Sequence, residues 1–168
     1  MKIIAQFNND PSITFEYIDA DNFDMLDKKL CRQSYGICFC EGKLLIALGY
    51  YGGKDREWGY TGGRIEEGET FEETLRREVK EESNMEVISF LPIGYQKVTK
   101  KDGSFKYQLR YVCKVKPYGP FVSDPADGII SEIKLIEPSE YNKYVNWGRI
   151  GDRLVARSLE LLEKLSDN

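Results

Sequence analysis

Residues 63–85 read GRIEEGETFEETLRREVKEESNM. Gly63 is followed after five residues by Glu69, and after seven more by the run Arg77-Glu78-Val79-Lys80-Glu81-Glu82. Thr70 with Glu73 three residues on forms a capping box, so the spacing predicts a helix starting at about Thr70. At about 100° per residue, Phe71, Leu75 and Val79 make one apolar stripe that faces the protein. Glu78 and Glu82 fall in line with that stripe, one turn apart, and Glu81 lies at its margin. Glu73, Arg76, Arg77 and Lys80 lie toward the other side. The C-terminal half of the helix therefore turns carboxylates inward. In water, like charges one turn apart cost only roughly 0.2–0.5 kcal/mol. Partly desolvated they cost much more, and one takes up a proton unless a cation sits between them. The chain has no histidine, and this stretch has no cysteine. An all-oxygen site favours a hard ion, Mg²⁺ or Mn²⁺.

This stretch resembles the signature of the Nudix hydrolases: Gly, five residues, Glu, seven residues, Arg-Glu, an aliphatic residue, any residue, Glu-Glu, any residue, Gly, an aliphatic residue. Here the specified positions are Gly63, Glu69, Arg77, Glu78, Val79, Glu81, Glu82, Asn84 and Met85, and eight of the nine match. Asn84 stands where the family has Gly. After Gly, Asn is the residue that best tolerates the left-handed conformation that ends a helix, so the stop is expected to survive. Thr61 stands where many members have Pro, and it touches no expected ligand.

The resemblance implies an α/β fold, a mixed sheet sandwiched between the signature helix and a C-terminal helix. It also implies metal-assisted hydrolysis of a nucleoside diphosphate linked to another moiety. The expected metal ligands are Glu78, Glu81, Glu82 and the carbonyl of Gly62, since paired glycines let backbone approach an ion closely. Without histidine, the general base has to be a carboxylate, a lysine or a tyrosine. Glu78 is the first choice; some members place the base on a later loop, where Asp127 or Glu132 is the candidate. Glu69 and Arg77 are expected to pair and hold the loop to the helix. A surface ion pair is the plainer reading of those two. A nucleotide-sensing domain without turnover is the alternative function, and a structural acidic helix is the bland one. The intact acids speak against both.

Outside the signature, length and composition bound the answer. At 168 residues the chain has room for one domain with a real core. Residues 34–168 carry the element order of the resemblance. Residues 1–33 read as an addition packed on it: strands Lys2–Phe7 and Ile13–Ile18, then a short helix over Asp21–Leu30. A net charge of −4 and a pI of about 5.1 argue against binding long nucleic acid or an anionic membrane. No apolar run approaches membrane-spanning length and the N-terminus lacks a signal-peptide profile, so a soluble, cytoplasmic monomer or homodimer is expected. The four cysteines, Cys31, Cys38, Cys40 and Cys113, have no Cys-x-x-Cys spacing and read as buried free thiols.

Strands are expected over Tyr35–Cys40 and Lys43–Leu48 around a Glu41-Gly42 turn. Tyr50, Tyr51 and Arg56, with Lys54, are candidates for holding base and phosphates, and Trp58 reads more readily as packed. Further strands are expected over Glu86–Leu91, Ile93–Thr99, Phe105–Lys116 and Ser131–Ile136. On the third of these, Tyr107, Leu109, Tyr111 and Cys113 share a face. Lys97, Lys100, Lys101, Lys106 and Arg110 form either a phosphate-guiding patch or, more commonly, a solvated hairpin. A C-terminal helix is expected over Gly151–Leu165, with Leu154, Val155, Ser158, Leu161, Leu162 and Leu165 on its apolar side.

Overall fold

The computed structural model describes residues 1–7, 10–50, 55–122 and 130–166. Nine strands and two α-helices follow in order among these residues. They are β1 (Lys2–Phe7), β2 (Asp10–Asp19), β3 (Cys31–Cys40), β4 (Lys43–Gly49), β5 (Glu57–Gly59), β6 (Thr61–Arg64), α1 (Phe71–Ser83), β7 (Met85–Thr99), β8 (Phe105–Pro117), β9 (Glu132–Ile136) and α2 (Gly148–Leu162). The strands form one mixed sheet in the order β1-β2-β7-β8-β3-β4-β5. β3 and β8 run parallel, and the other pairings are antiparallel. β3 pairs with β4 at its end, Phe39 and Cys40, and gives the same edge to β6 over Gln33–Gly36, while β4 continues between β5 and β9.

Alternation splits the side chains between two cores, one on each face. Cys38 and Cys40 of β3 join Leu109, Tyr111 and Cys113 of β8 beneath Leu75 and Val79 of α1. Ile37 and Phe39 face the other way, with Val112, and meet Leu154, Val155 and Leu161 of α2. The α/β sandwich expected from the sequence is therefore present, and all four cysteines are buried free thiols.

Several boundaries differ from expectation for identifiable reasons. Residues 21–30 hold no α-helix, only a 3₁₀ turn over Lys28–Leu30. Asn22 and Asp27 accept backbone N–H bonds from Asp24 and Lys29, two residues on, at 3.2 and 2.9 Å. Such local bonds compete with helix formation. Phe23 still goes into the core, edge-on to Tyr111 at 5.3 Å, while Met25 is 94% exposed. β7 is one strand, not two. Its register shifts between Pro92 and Gly94, so the missing N–H of proline falls at a bulge. The bulged Ile93 turns its carbonyl to the Tyr17 hydroxyl at 2.9 Å. α2 starts and ends earlier than expected but buries the predicted face, with Leu154, Val155, Ser158 and Leu161 inside.

Candidate active site

α1 is fixed at both ends by local chemistry. The Thr70 hydroxyl accepts from the Glu73 N–H at 3.1 Å, and the Glu73 carboxylate accepts from the Thr70 N–H at 2.8 Å. Ser34 of β3 donates to the Phe71 carbonyl at 3.1 Å and so ties the first turn to the sheet. At the other end Asn84 is left-handed, φ 54° and ψ 34°. Its side-chain amide donates to the Pro120 carbonyl at 2.6 Å. The departure from glycine at this position thus keeps the helix stop and adds a hydrogen bond. Thr61, the other departure, is buried with its hydroxyl 3.6 Å from the Cys38 sulfur.

Glu78 and Glu82 come to the glycine pair on β6. The Gly62 N–H donates to Glu82 Oε2 at 2.8 Å, and this is the one hydrogen bond of that carboxylate among the described residues. No cation pairs with it there. Burial pushes the Glu82 carboxyl up to about 8, against the pull of the Gly62 bond. Burial also raises Glu78, partly offset by Arg77. Gly63 leaves no room for a side chain: a Cβ there would stand 2.5 Å from the Glu78 carboxyl atoms. Gly62 has φ +146°, and a Cβ there would lie 2.4 Å from the Ser34 carbonyl. Tyr35 backs this corner. Its phenol is raised first by burial and also by the charges of Glu82 and Glu78.

Arg77 does more than the helical wheel suggests. Nε and Nη2 donate to Glu69 at 2.6 and 2.9 Å, and Nη2 also holds the Arg64 carbonyl at 3.0 Å. Nη1 reaches Glu78 at 2.8 Å and Glu81 at 3.1 Å. Those bonds, Arg77 first, drop Glu69 to about 2. Glu69 further accepts from Thr74 and from the Glu66 N–H, so the loop before the helix is pinned to it. The expected Glu69–Arg77 pair exists and is part of a network. Sequence reasoning missed the reach of Arg77 back to Glu78, because an adjacent residue looks averted on a wheel. It also missed the fit of Glu78 against Gly63, a contact across fifteen positions that no local signal reports.

The acids are not equivalent. The Glu81 side chain is 48% exposed and bound to Arg77, whereas that of Glu78 is 14% exposed. Among the described residues, no three acidic or thiol side chains meet at metal-ligand spacing. The donor set nevertheless suits a hard divalent ion. It is all oxygen, and it includes a half-buried carboxylate with no cation among the described residues, beside a glycine pair that clears the approach.

Of the other candidates, Tyr50 is 46% exposed with the Arg56 guanidinium 4.8 Å over its ring. Tyr51, Lys54 and Asp127 lie outside the described residues. Glu132 starts β9 and pairs with Lys134 at 3.6 Å. Trp58 is packed, edge-on to Tyr144 at 5.9 Å.

No curated protein matches the sequence. Solved structures do match the fold. A pyrophosphohydrolase of Bacillus subtilis, BsRppH, aligns over 96% of both chains at 21% identity and a TM-score of 0.69. A NUDIX hydrolase from Nitrosomonas europaea aligns over 77% of this chain and 89% of its own, at 15% identity and a TM-score of 0.64. An ADP compounds hydrolase aligns over 97% and 95%, at 14% identity and a TM-score of 0.58. No helix of the described residues is long and apolar enough to cross a membrane. The profile of the NUDIX domain matches residues 32–156, most of the chain and both sides of the acid-bearing helix, and the chain belongs to that family of hydrolases, which act on phosphorus-containing anhydrides.

Proposed function

We propose that the protein is a Mg²⁺-dependent (or Mn²⁺-dependent) pyrophosphohydrolase that cleaves a nucleoside diphosphate linked to another moiety. Glu78, Glu81, Glu82 and the Gly62 carbonyl would hold the ion. The observation that carries this reading is the half-buried Glu82 carboxylate, bonded among the described residues to one backbone N–H and to no cation, one turn from Glu78. A protein with no use for a cation has little reason to bury two acids side by side.

Bound metal supplies charge neutralisation at the phosphate oxygens and polarisation of a water. The chain does the rest. Glu78 accepts the proton of the attacking water at a carboxylate oxygen. The water oxygen bonds to phosphorus as the bond from phosphorus to the bridging oxygen breaks. The Gly62 N–H orients Glu82, and Arg77 orients Glu78 and Glu81 while anchoring the Glu69 loop. Four buried thiols fit a reducing compartment such as the cytoplasm.

A panel of nucleoside diphosphate derivatives, incubated with and without Mg²⁺, tests this. Phosphate-bearing products that need metal, and that fall by about 10²–10⁴-fold in Glu78→Gln with the melting temperature kept, are expected. Binding that raises the melting temperature without turnover would instead make the domain a sensor. An unaffected rate in Glu78→Gln removes Glu78 from the mechanism.

A further inference from the structure

One buried cation, Arg110 of β8, has no counter-ion among the described residues. It is 2% exposed and pairs in register with Tyr35 of β3. Its guanidinium lies 4.3 Å over the Tyr35 ring and 5.8 Å from the Trp147 ring. Such contacts offset part of the cost of burying a charge, but they satisfy no N–H group. Nη2 donates to the Gln108 oxygen at 2.9 Å, an oxygen that Gln96 also uses at 3.1 Å. Nε and Nη1 are buried and have no hydrogen-bond partner. Burial lowers the guanidinium, and the phenols of Tyr35, Tyr17 and Tyr60 pull the other way.

Tyr60 repeats the pattern. It is fully buried, and its hydroxyl has no partner. It meets Trp147 edge-on at 5.1 Å, the same ring that borders Arg110. Tyr17, by contrast, has spent its O–H on the Ile93 carbonyl. Asp152, whose charge reaches Tyr60, is exposed and held by Tyr141 and Asn142. Trp147 also precedes the first turn of α2, and no side chain caps that turn, so the positive end of the helix begins beside the same ring.

We propose that Arg110 and Tyr60 hold a small monovalent inorganic anion, of the class of chloride, beside the Trp147 ring. Buried polar groups are almost always satisfied, so two neighbouring exceptions call for an occupant. Arg110 can only donate, and Tyr60 has a proton to give. A water molecule answers some of these donors but leaves the buried charge uncompensated; an anion answers the donors and the charge together. The walls set the size. Tyr17, Tyr60 and Ile93 are all fully buried, which suits a single small ion and not an organic polyanion.

The test has two readouts on the whole chain. The first is the line width of the chloride-35 NMR signal, titrated with protein. Saturable broadening is expected with the wild type. It should be lost in Arg110→Met, weaken about tenfold in affinity in Tyr60→Phe, and stay unchanged in Lys101→Gln at the hairpin tip. The second is the melting temperature in potassium chloride against potassium gluconate at equal ionic strength. The wild type should melt higher in chloride, with a saturable dependence on its concentration, because the folded state alone binds the ion. Arg110→Met should melt alike in both salts. Equal broadening by wild type and Arg110→Met, or equal melting of the wild type in the two salts, overturns the proposal. Should Arg110→Met fail to fold, Tyr60→Phe decides, since it removes one oxygen and keeps the ring: an unchanged chloride affinity there overturns the proposal as well.

Discussion

A methyl group at position 63 and one at position 62 would do different damage. At Gly63 the new atom meets the far end of Glu78, a side chain that can swing away. Gly63→Ala is therefore expected to keep its melting temperature within a few degrees and to lose activity about tenfold or more, by displacing a carboxylate from its place. At Gly62 the new atom meets the Ser34 backbone, in a φ region that side chains avoid. Gly62→Ala should cost more than about 2 kcal/mol of stability, read from the urea midpoint. If both variants lose stability equally, the space at Gly63 is not reserved for Glu78. Glu82 offers the complementary case. Replacing a partly desolvated carboxyl that has no cation among the described residues with Gln removes a desolvation cost, so Glu82→Gln should melt at a higher temperature than wild type in metal-free buffer at pH 7 while losing hydrolysis. A lower melting temperature would mean that the Gly62 bond outweighs the burial.

At the scale of elements, what was legible in the sequence was what is decided locally. The capping box at Thr70, the Asn84 stop and the Leu75–Val79 stripe each lie within one or two turns, and the helix appears where they place it. Thr70→Ala should accordingly cost about 1 kcal/mol, with the loss seen in thermal unfolding and little change in metal-saturated turnover. A strand interrupted by Pro92 and Gly94 reads as two, because its continuity depends on a bulge whose carbonyl is satisfied by Tyr17, seventy-six positions away. The segment after β2, Asp21–Leu30, reads as a short helix. Asx-type bonds at Asn22 and Asp27 decide otherwise. In the candidate site the acids were legible and their neighbours were not. The pairing of Tyr35 with Gly62, which sets the glycine pair beside the acids, is a long-range fact of register.

For the whole molecule, residues 1–33 are best understood as a stabilising addition, a proposal supported by where their charges go. Asp19 at the end of β2 receives Arg153 of α2 through Nε and Nη2, and also the N-terminal amine at 3.0 Å. Arg157 reaches Asp21 and Glu160. The first hairpin and the last helix are thereby joined. Burial alone would raise Asp19, but the Arg153 and N-terminal bonds outweigh it and hold the carboxyl below the usual range. A carboxyl depressed in the folded state contributes stability above its unfolded value, near pH 4, and that stability is lost as the pH falls through the folded value. Asp19→Asn should therefore lose about 1–2 kcal/mol at pH 7 and much less at pH 3, with kcat unchanged. Equal losses at the two pH values would show that the ion pair is not what joins the hairpin to α2.

The central claim is that two half-buried acids on the inner face of α1 are there to hold a divalent cation. The most direct measurement is calorimetric titration of Mn²⁺ or Mg²⁺ into wild-type protein and into Glu82→Gln at pH 7. Saturable binding to the wild type that weakens by a factor of ten or more in the variant is the predicted result. No saturable binding at millimolar ion, or equal binding to both proteins, would contradict the account.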